Sequence, residues 1–312
     1  MGKEQAYRST YNSSLLGFNR APANSFADAL RSSDFFPNQS SDNTLVYSFQ
    51  TPPIDVVSGV AQEVQRLSSM LIETLIAIDN TKQRKSIAWK MVKFYYAAFF
   101  SAQLIGRLTN NWLGRLVGLE DFDSLLQLHH GKNLSLPKKT KGFLCNFDGT
   151  HSINCLPIEA DDGSHILVWK IFALGIDRLI LDLRSVRPQQ NDVAEVIGDL
   201  SKLQIDLGTP PTFLTTFRNE TNYRMGNGVW FPQSQNASKE WDLYFNLMSI
   251  ERSISTPPSY IQRHNSKNQK FLACCTFIIH LALWIINDYS KSNPKNKYLK
   301  GNTSRIEISL AE

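Results

Sequence analysis

The sequence predicts an α+β fold that is mainly a helical bundle, with a small antiparallel β meander inserted in it. Three observations lead there. Phe94 to Gly106 is thirteen residues without a charge, too long for a strand and apolar nearly all round, so it reads as a central buried helix. Several other segments repeat apolar residues at three- and four-residue spacing. Between about 140 and 173, alternating runs separated by Asp-Gly turns read as strands instead.

The bounds are those of an ordinary globular chain. It has 312 residues, a hydrophobic fraction of 42%, 18 Phe and a net charge of +5. That size fits one large or two ordinary domains, and the mild positive charge is compatible with nucleic acid without pointing to it. The four cysteines, Cys145, Cys155, Cys274 and Cys275, show no disulfide-framework spacing, which fits a reducing cytoplasm. The N-terminus has no apolar h-region and Ala6 breaks the myristoylation pattern, so neither secretion nor a lipid anchor is expected. Phe271 to Ile286 is the one membrane candidate. It is short for a span and carries Thr276 and His280, so it reads as a core helix and no membrane partner is expected.

In order, residues 1–43 read as a loosely ordered arm whose aromatics dock on the body, and 44–312 as a single helical domain. Thr44–Phe49 is a short strand. Pro52-Pro53 punctuates, and Val57, Val60, Val64, Leu67, Leu71, Leu75 and Ile78 then mark an amphipathic helix. The central helix follows at once as its antiparallel partner and closes at Asn110-Asn111. Trp112 to Leu128 reads as one or two short helices, and Leu136 to Lys141 as a basic loop. Gly142–Phe147, Ser152–Glu159 and Ser164–Phe172 are the three strands of the meander. Ala173–Leu183 is helical, as is the segment marked by Val193, Val196, Leu200, Leu203 and Leu207. Pro210-Pro211 breaks the pattern before Thr212–Arg224. A Gly-rich turn from Met225 to Pro232 follows, then a helix through Leu243, Leu247, Ile250 and Ile254, and a last long helix from Lys267 to Tyr289. Arg305–Leu310 alternates as a terminal strand.

The chemistry gathers in Phe217-Arg-Asn-Glu-Thr-Asn-Tyr-Arg224. Together with Tyr95-Tyr-Ala-Ala-Phe-Phe100, this stretch resembles the HEPN superfamily of small helical bundles, in which an aromatic helix packs beside a later helix carrying Arg, a polar residue, several residues and then His. Arg218-Asn219 matches the start of that motif, and Tyr223 stands where the His is expected. The run from the aromatic helix through His130-Gly131 and the basic loop to the strands is also similar to bacterial YaaC-like proteins.

The resemblance implies a bacterial, cytoplasmic protein of a defence or stress system of the toxin–antitoxin or antiviral kind, directed at RNA and paired as a homodimer. It would be either a metal-independent endoribonuclease or a degenerate RNA-binding form. In such a site the Arg stabilises phosphate charge and the His moves a proton. The resemblance makes Arg218, Asn219 and Tyr223 the catalytic candidates. Tyr is a weak base at neutral pH but donates a hydrogen bond. Arg224, Trp230, Lys138, Lys139 and Lys141 are the nucleic-acid-binding candidates, through phosphate charge and base stacking. Lys82, Arg84, Lys85, Lys90 and Lys93 add a basic start to the central helix. The plain alternatives are that Arg218 and Tyr223 cap and pack a helix, that Glu220 and Arg224 form an i,i+4 pair, and that the lysines line a solvated face.

A second class of function is a non-enzymatic interaction or scaffold subunit of a larger anti-phage complex, with Arg218 locked in an internal salt bridge and an apolar patch elsewhere. A third is an enzyme built around His151 or His165. Cys145, His151, Cys155 and Asp148 on one hairpin lack tight metal-hook spacing, and His129-His130 has no carboxylate partner, so no metal is assigned and no cofactor is expected. Glu159, Asp161 and Asp162 fall in a turn, where Asp is favoured locally. No Gly-rich phosphate loop, nucleophile elbow or zinc-binding helix motif occurs.

Overall fold

The structure, a computed structural model, describes residues 2–19, 26, 34–39, 45–50, 52–79, 86–114, 140–159, 164–185, 191–230, 235–247, 255–261, 264–295 and 299. The fold is α+β and mainly helical. Its described elements are α1 (Lys3–Arg8), α2 (Ser13–Leu16), β1 (Asp34–Gln39), β2 (Leu45–Gln50), α3 (Pro53–Asp79), α4 (Ile87–Leu108), β3 (Trp112–Gly114), β4 (Thr140–Phe147), β5 (Ser152–Glu159), α5 (Ser164–Ser185), α6 (Asn191–Leu207), α7 (Phe213–Tyr223), α8 (Gln235–Leu247) and α9 (Lys267–Ser292).

Helix α4 is the hub, as its charge-free sequence required. It packs along α3 and α9 and also touches α5, α7 and β3. Phe94, Tyr95, Ala97, Ala98, Ala102 and Leu104 are each almost wholly buried, and the small residues among them let neighbouring backbones approach. The helix ends in a Schellman motif: the Asn111 amide donates to the Gly106 carbonyl at 2.7 Å, and Asn110 sits in the left-handed region at φ 61°. A Cβ on Gly106 would lie 2.5 Å from the Asn111 carbonyl oxygen, so that reversal requires glycine. The orphan Leu108 carbonyl accepts from the Asn12 amide (2.8 Å) and the Tyr289 hydroxyl (2.6 Å), tying the N-terminal segment and α9 to the end of α4.

The sheet differs from the predicted meander. Among the described residues it has five strands in the order β1-β2-β5-β4-β3, and their pairings are antiparallel. The α3–α4 hairpin is inserted in the chain between β2 and β3. Ser164–Phe172, predicted as a third meander strand, is instead the first half of α5. The run His165 to Phe172 is ambiguous by alternation alone, but no Gly or Pro separates it from the helical pattern that follows. Leu167, Val168 and Ile171 bury on the side of the helix that faces the sheet, against Leu113 and Leu144, and Ile176, Leu179, Ile180 and Leu183 carry the same helix on into the main core. Trp112–Gly114, predicted to begin a helix, is the short strand β3. Asp148-Gly149 does turn β4 into β5. Asp148 accepts from the Thr150, His151 and Ser152 amides at 2.8–3.0 Å, and Gly149 supplies φ 85°.

The described parts of the N-terminal segment pack on the body. Tyr7 meets Trp284, Tyr11 meets Tyr289, and Lys3 is held by Glu195 (2.6 Å) and Asp199 (3.2 Å). Helix α8 begins at Gln235, ahead of its predicted apolar marks, and takes in Leu243 and Leu247; Ala237 and Trp241 are buried on it. Ile250, Ile254, residues 115–139 with His129-His130, and the Arg305–Leu310 segment lie outside the described residues. Helix α9 is long and apolar enough to cross a membrane by composition, yet 94% of its most apolar window is buried in the core.

Candidate functional site

Helix α7 forms where Pro210-Pro211 ends the previous segment, and it docks by one face. Leu214, Phe217 and Thr221 are buried at three- and four-residue spacing, and Phe217 stacks flat on Phe271 of α9 (4.0 Å, 10°). Arg218, one step round from Phe217, is therefore carried toward α4. Its Nη2 donates to the Tyr96 hydroxyl and its Nη1 to Asn219 Oδ1 (2.9 Å). The guanidinium carbon lies 5.4 Å from the ring centres of both Tyr96 and Tyr223.

Arg218 is half-buried, and no carboxylate among the described residues pairs with it. Burial works against its charge, but the hydrogen bond to Tyr96 and the phenols of Tyr96 and Tyr223 outweigh that, and its pKa is raised. The predicted Glu220–Arg224 pair does not form. Glu220 takes Lys267 of α9 instead, while Arg224 is exposed.

The turn after α7 is stapled back onto the helix. The Arg224 and Gly226 amides both donate to the Glu220 carbonyl (3.1 and 2.9 Å), and Asn227 Nδ2 reaches the Phe217 carbonyl (3.2 Å) and Thr221 Oγ1 (3.0 Å). Trp230 Nε1 donates to the Thr221 carbonyl at 2.7 Å. That fixes the Trp230 ring edge-on to Trp89 of α4, centres 6.1 Å apart and with Trp89 half exposed. From Trp89 the exposed face of α4 runs on through Lys93 and Tyr96 to Phe100. Lys93, Tyr96 and Phe100 line an open groove of about 410 Å³ against Met70, Glu73, Thr74 and Ala77 of α3. Arg218 and Tyr96 thus sit between an aromatic pair and a shallow groove.

The predicted residues divide accordingly. Arg218, Asn219, Tyr223, Arg224 and Trp230 come together on α7 and its turn. Lys141 is exposed on β4, and no hydrogen bond, ion pair or ring contact among the described residues joins it to α7. Lys138, Lys139, Lys82, Arg84 and Lys85 lie outside the described residues. Lys90 lies over the Trp241 ring at 5.9 Å. Cys145 and Cys155 are cross-strand partners with sulfurs 3.2 Å apart, both buried, while His151 is exposed in the turn.

The sequence reading, which took α4 only as a central buried helix, missed its contribution to the site. Tyr95 points inward and is fully buried, while Tyr96, one hundred degrees further round, forms the wall of the cleft and holds Arg218. The sequence reading named His165 only beside His151, as the centre of an enzyme on the strands, and not with Arg218. The first turn of α5 places that ring 5.9 Å from the ring of Tyr96. A Tyr-Tyr pair whose second member lies three residues after the half-buried Lys93 is the signal that was there to be read.

No family model matches the chain, no curated protein matches it, and no solved structure matches it.

Proposed function

We propose that the chain is a HEPN-like, RNA-directed protein, and that the cleft between α7 and α4 takes the phosphate backbone of single-stranded RNA. The observation that carries this reading is the state of Arg218: half-buried, positioned by the Tyr96 hydroxyl and two aromatic faces, and left without a carboxylate partner among the described residues. A cation oriented by neutral groups keeps its full charge for an external anion, and the guanidinium fork matches two phosphate oxygens. The surroundings support the same ligand. Trp89, Trp230 and Tyr223 offer partly or largely exposed ring faces for bases, and Lys93 and Arg224 add positive charge along the path.

The test is the anisotropy of a labelled single-stranded RNA titrated with the full chain. Affinity should fall as salt rises, and Arg218→Ala should weaken binding ~10- to 100-fold, the loss of one charge-assisted contact. A wild-type protein with no affinity for RNA at low salt overturns the reading.

A further inference from the structure

We propose that the open cleft between the end of α4 and the last two turns of α5 is a second ligand site, and that it takes a phosphorylated sugar, with the phosphate on Arg178 and the sugar hydroxyls on a wall of acceptors. The cleft lies about 20 Å along α4 from Tyr96, away from Arg218, and does not depend on the RNA reading.

The cavity comes first. It measures about 530 Å³ and is bounded by the segment Ser9 to Tyr11, the turn Thr109 to Asn111, Asn146 of β4, and Arg178, Asp182 and Ser185 of α5. That size suits a sugar phosphate or a mononucleotide.

The cation in it is half-buried and not neutralised. Arg178 Nη1 donates to Asn111 Oδ1 at 3.3 Å, a neutral amide, and no carboxylate among the described residues pairs with it. Asp182, one turn further along α5, lines the same cleft but stops short of an ion pair. Burial lowers the Arg178 pKa against the pull of Asp182, and burial raises the Asp182 pKa despite Arg178. The two charges thus line one cavity without satisfying each other.

The walls supply acceptors. The hydroxyls of Ser9, Thr10 and Ser185 each donate their single proton to a carbonyl of the preceding turn, those of Ala6, Tyr7 and Asp182, at 2.6–2.7 Å. A hydroxyl engaged in this way keeps only lone pairs for a ligand. With the Asp182 carboxylate they form a surface that calls for several O–H donors. Asn146 adds one donor: its Oδ1 accepts from Asn154 (3.3 Å), and its Nδ2 has no partner among the described residues. A bare anion would meet one cation inside a ring of oxygens. A sugar phosphate answers both, with phosphate oxygens for the guanidinium fork and hydroxyls for the acceptors.

The floor is preformed. Both ends of the Asn110 amide are bonded to the Phe147 backbone (2.8 and 2.9 Å), and buried Asn111 donates to the Thr109 carbonyl (3.0 Å). The acceptor that aims Arg178 is therefore fixed before a ligand arrives.

The experiment titrates the full chain with ribose 5-phosphate and with AMP, followed by calorimetry and by melting temperature, with ribose and inorganic phosphate as truncated probes. Both phosphorylated ligands should bind and raise the melting temperature. Ribose and inorganic phosphate should each bind at least ~10-fold more weakly, since each lacks one set of contacts. Arg178→Ala should weaken ribose 5-phosphate binding ~10- to 100-fold and Ser185→Ala ~2- to 10-fold, while Arg218→Ala binds it as wild type does. Circular dichroism certifies that the variants fold. Equal affinity for AMP and ribose 5-phosphate identifies the sugar phosphate as the whole ligand, and tighter AMP extends it to a nucleotide. Three results overturn the proposal: no response to either phosphorylated ligand at millimolar concentration, inorganic phosphate that binds as tightly as ribose 5-phosphate, or binding that is lost in Arg218→Ala and kept in Arg178→Ala.

Discussion

Two arginines on neighbouring helices show how one side chain is put to opposite uses. Arg107, near the end of α4, is almost wholly buried. Its Nε donates to Glu63 of α3 at 2.6 Å and its Nη1 to the Gln103 carbonyl at 2.9 Å. Arg218 is positioned as firmly, but by a phenol, an amide and two rings. The first cation is neutralised within the fold and serves it. The second keeps its charge. What distinguishes the structural arginine from the one proposed to bind RNA is the presence of a carboxylate, more than burial or order.

The comparison is broken most severely at Arg107. Arg107→Ala leaves Glu63 without its cation in a largely desolvated site, and unfolding in denaturant should show a loss of about 3–5 kcal/mol, with RNA affinity of the folded fraction unchanged. Arg218→Ala should cost only about 1–2 kcal/mol of stability, one hydrogen bond and its ring contacts, because nothing charged is left stranded.

Asn219→Asp sharpens the contrast. It places a carboxylate where Asn219 Oδ1 already accepts from Arg218, making Arg218 resemble Arg107. RNA affinity should drop about tenfold while the melting temperature holds or rises slightly. Tyr96→Phe removes the hydroxyl that aims Arg218, and stability should fall by about 1 kcal/mol in the same denaturant assay.

The smallest effect is confined to acid. Burial would raise the Asp206 pKa, but hydrogen bonds from Tyr260 (2.6 Å) and His264 (2.7 Å) and the Lys270 ammonium (3.2 Å) outweigh it and hold the carboxyl below the usual range. A depressed folded-state pKa contributes stability that is complete above the unfolded carboxylate range and is lost as pH falls through the folded value. Asp206→Asn should therefore flatten the acid limb of a stability–pH curve below about pH 4.

Much of the helical frame was legible because periodicity and breaks agree. Val57 to Ile78, Phe94 to Gly106 and Val193 to Leu207 each show an uninterrupted pattern between turn residues. The errors share a cause. Ser164–Phe172 is short, apolar and rich in β-branched residues, so its period says little, and the decision lay in its continuity with the helix beyond. Trp112–Gly114 is a strand only because Phe143 to Cys145 lies beside it, a pairing that no local pattern encodes. The site was half legible. Arg218 stood out as a cation in a short polar helix. Tyr96 did not, because its contact with Arg218 depends on α4 meeting α7 in space.

The order of the strands has a further consequence. One end of the sheet is β1, where Pro37 brings no backbone donor, and the other is β3, three residues long. A proline in one border strand and a stub at the other make poor templates for a strand from a second chain. Edge-to-edge growth of the sheet, the usual route by which β proteins aggregate or swap segments, is thereby discouraged at both ends. Among the described elements, the helical surfaces are the better suited to meet a second chain.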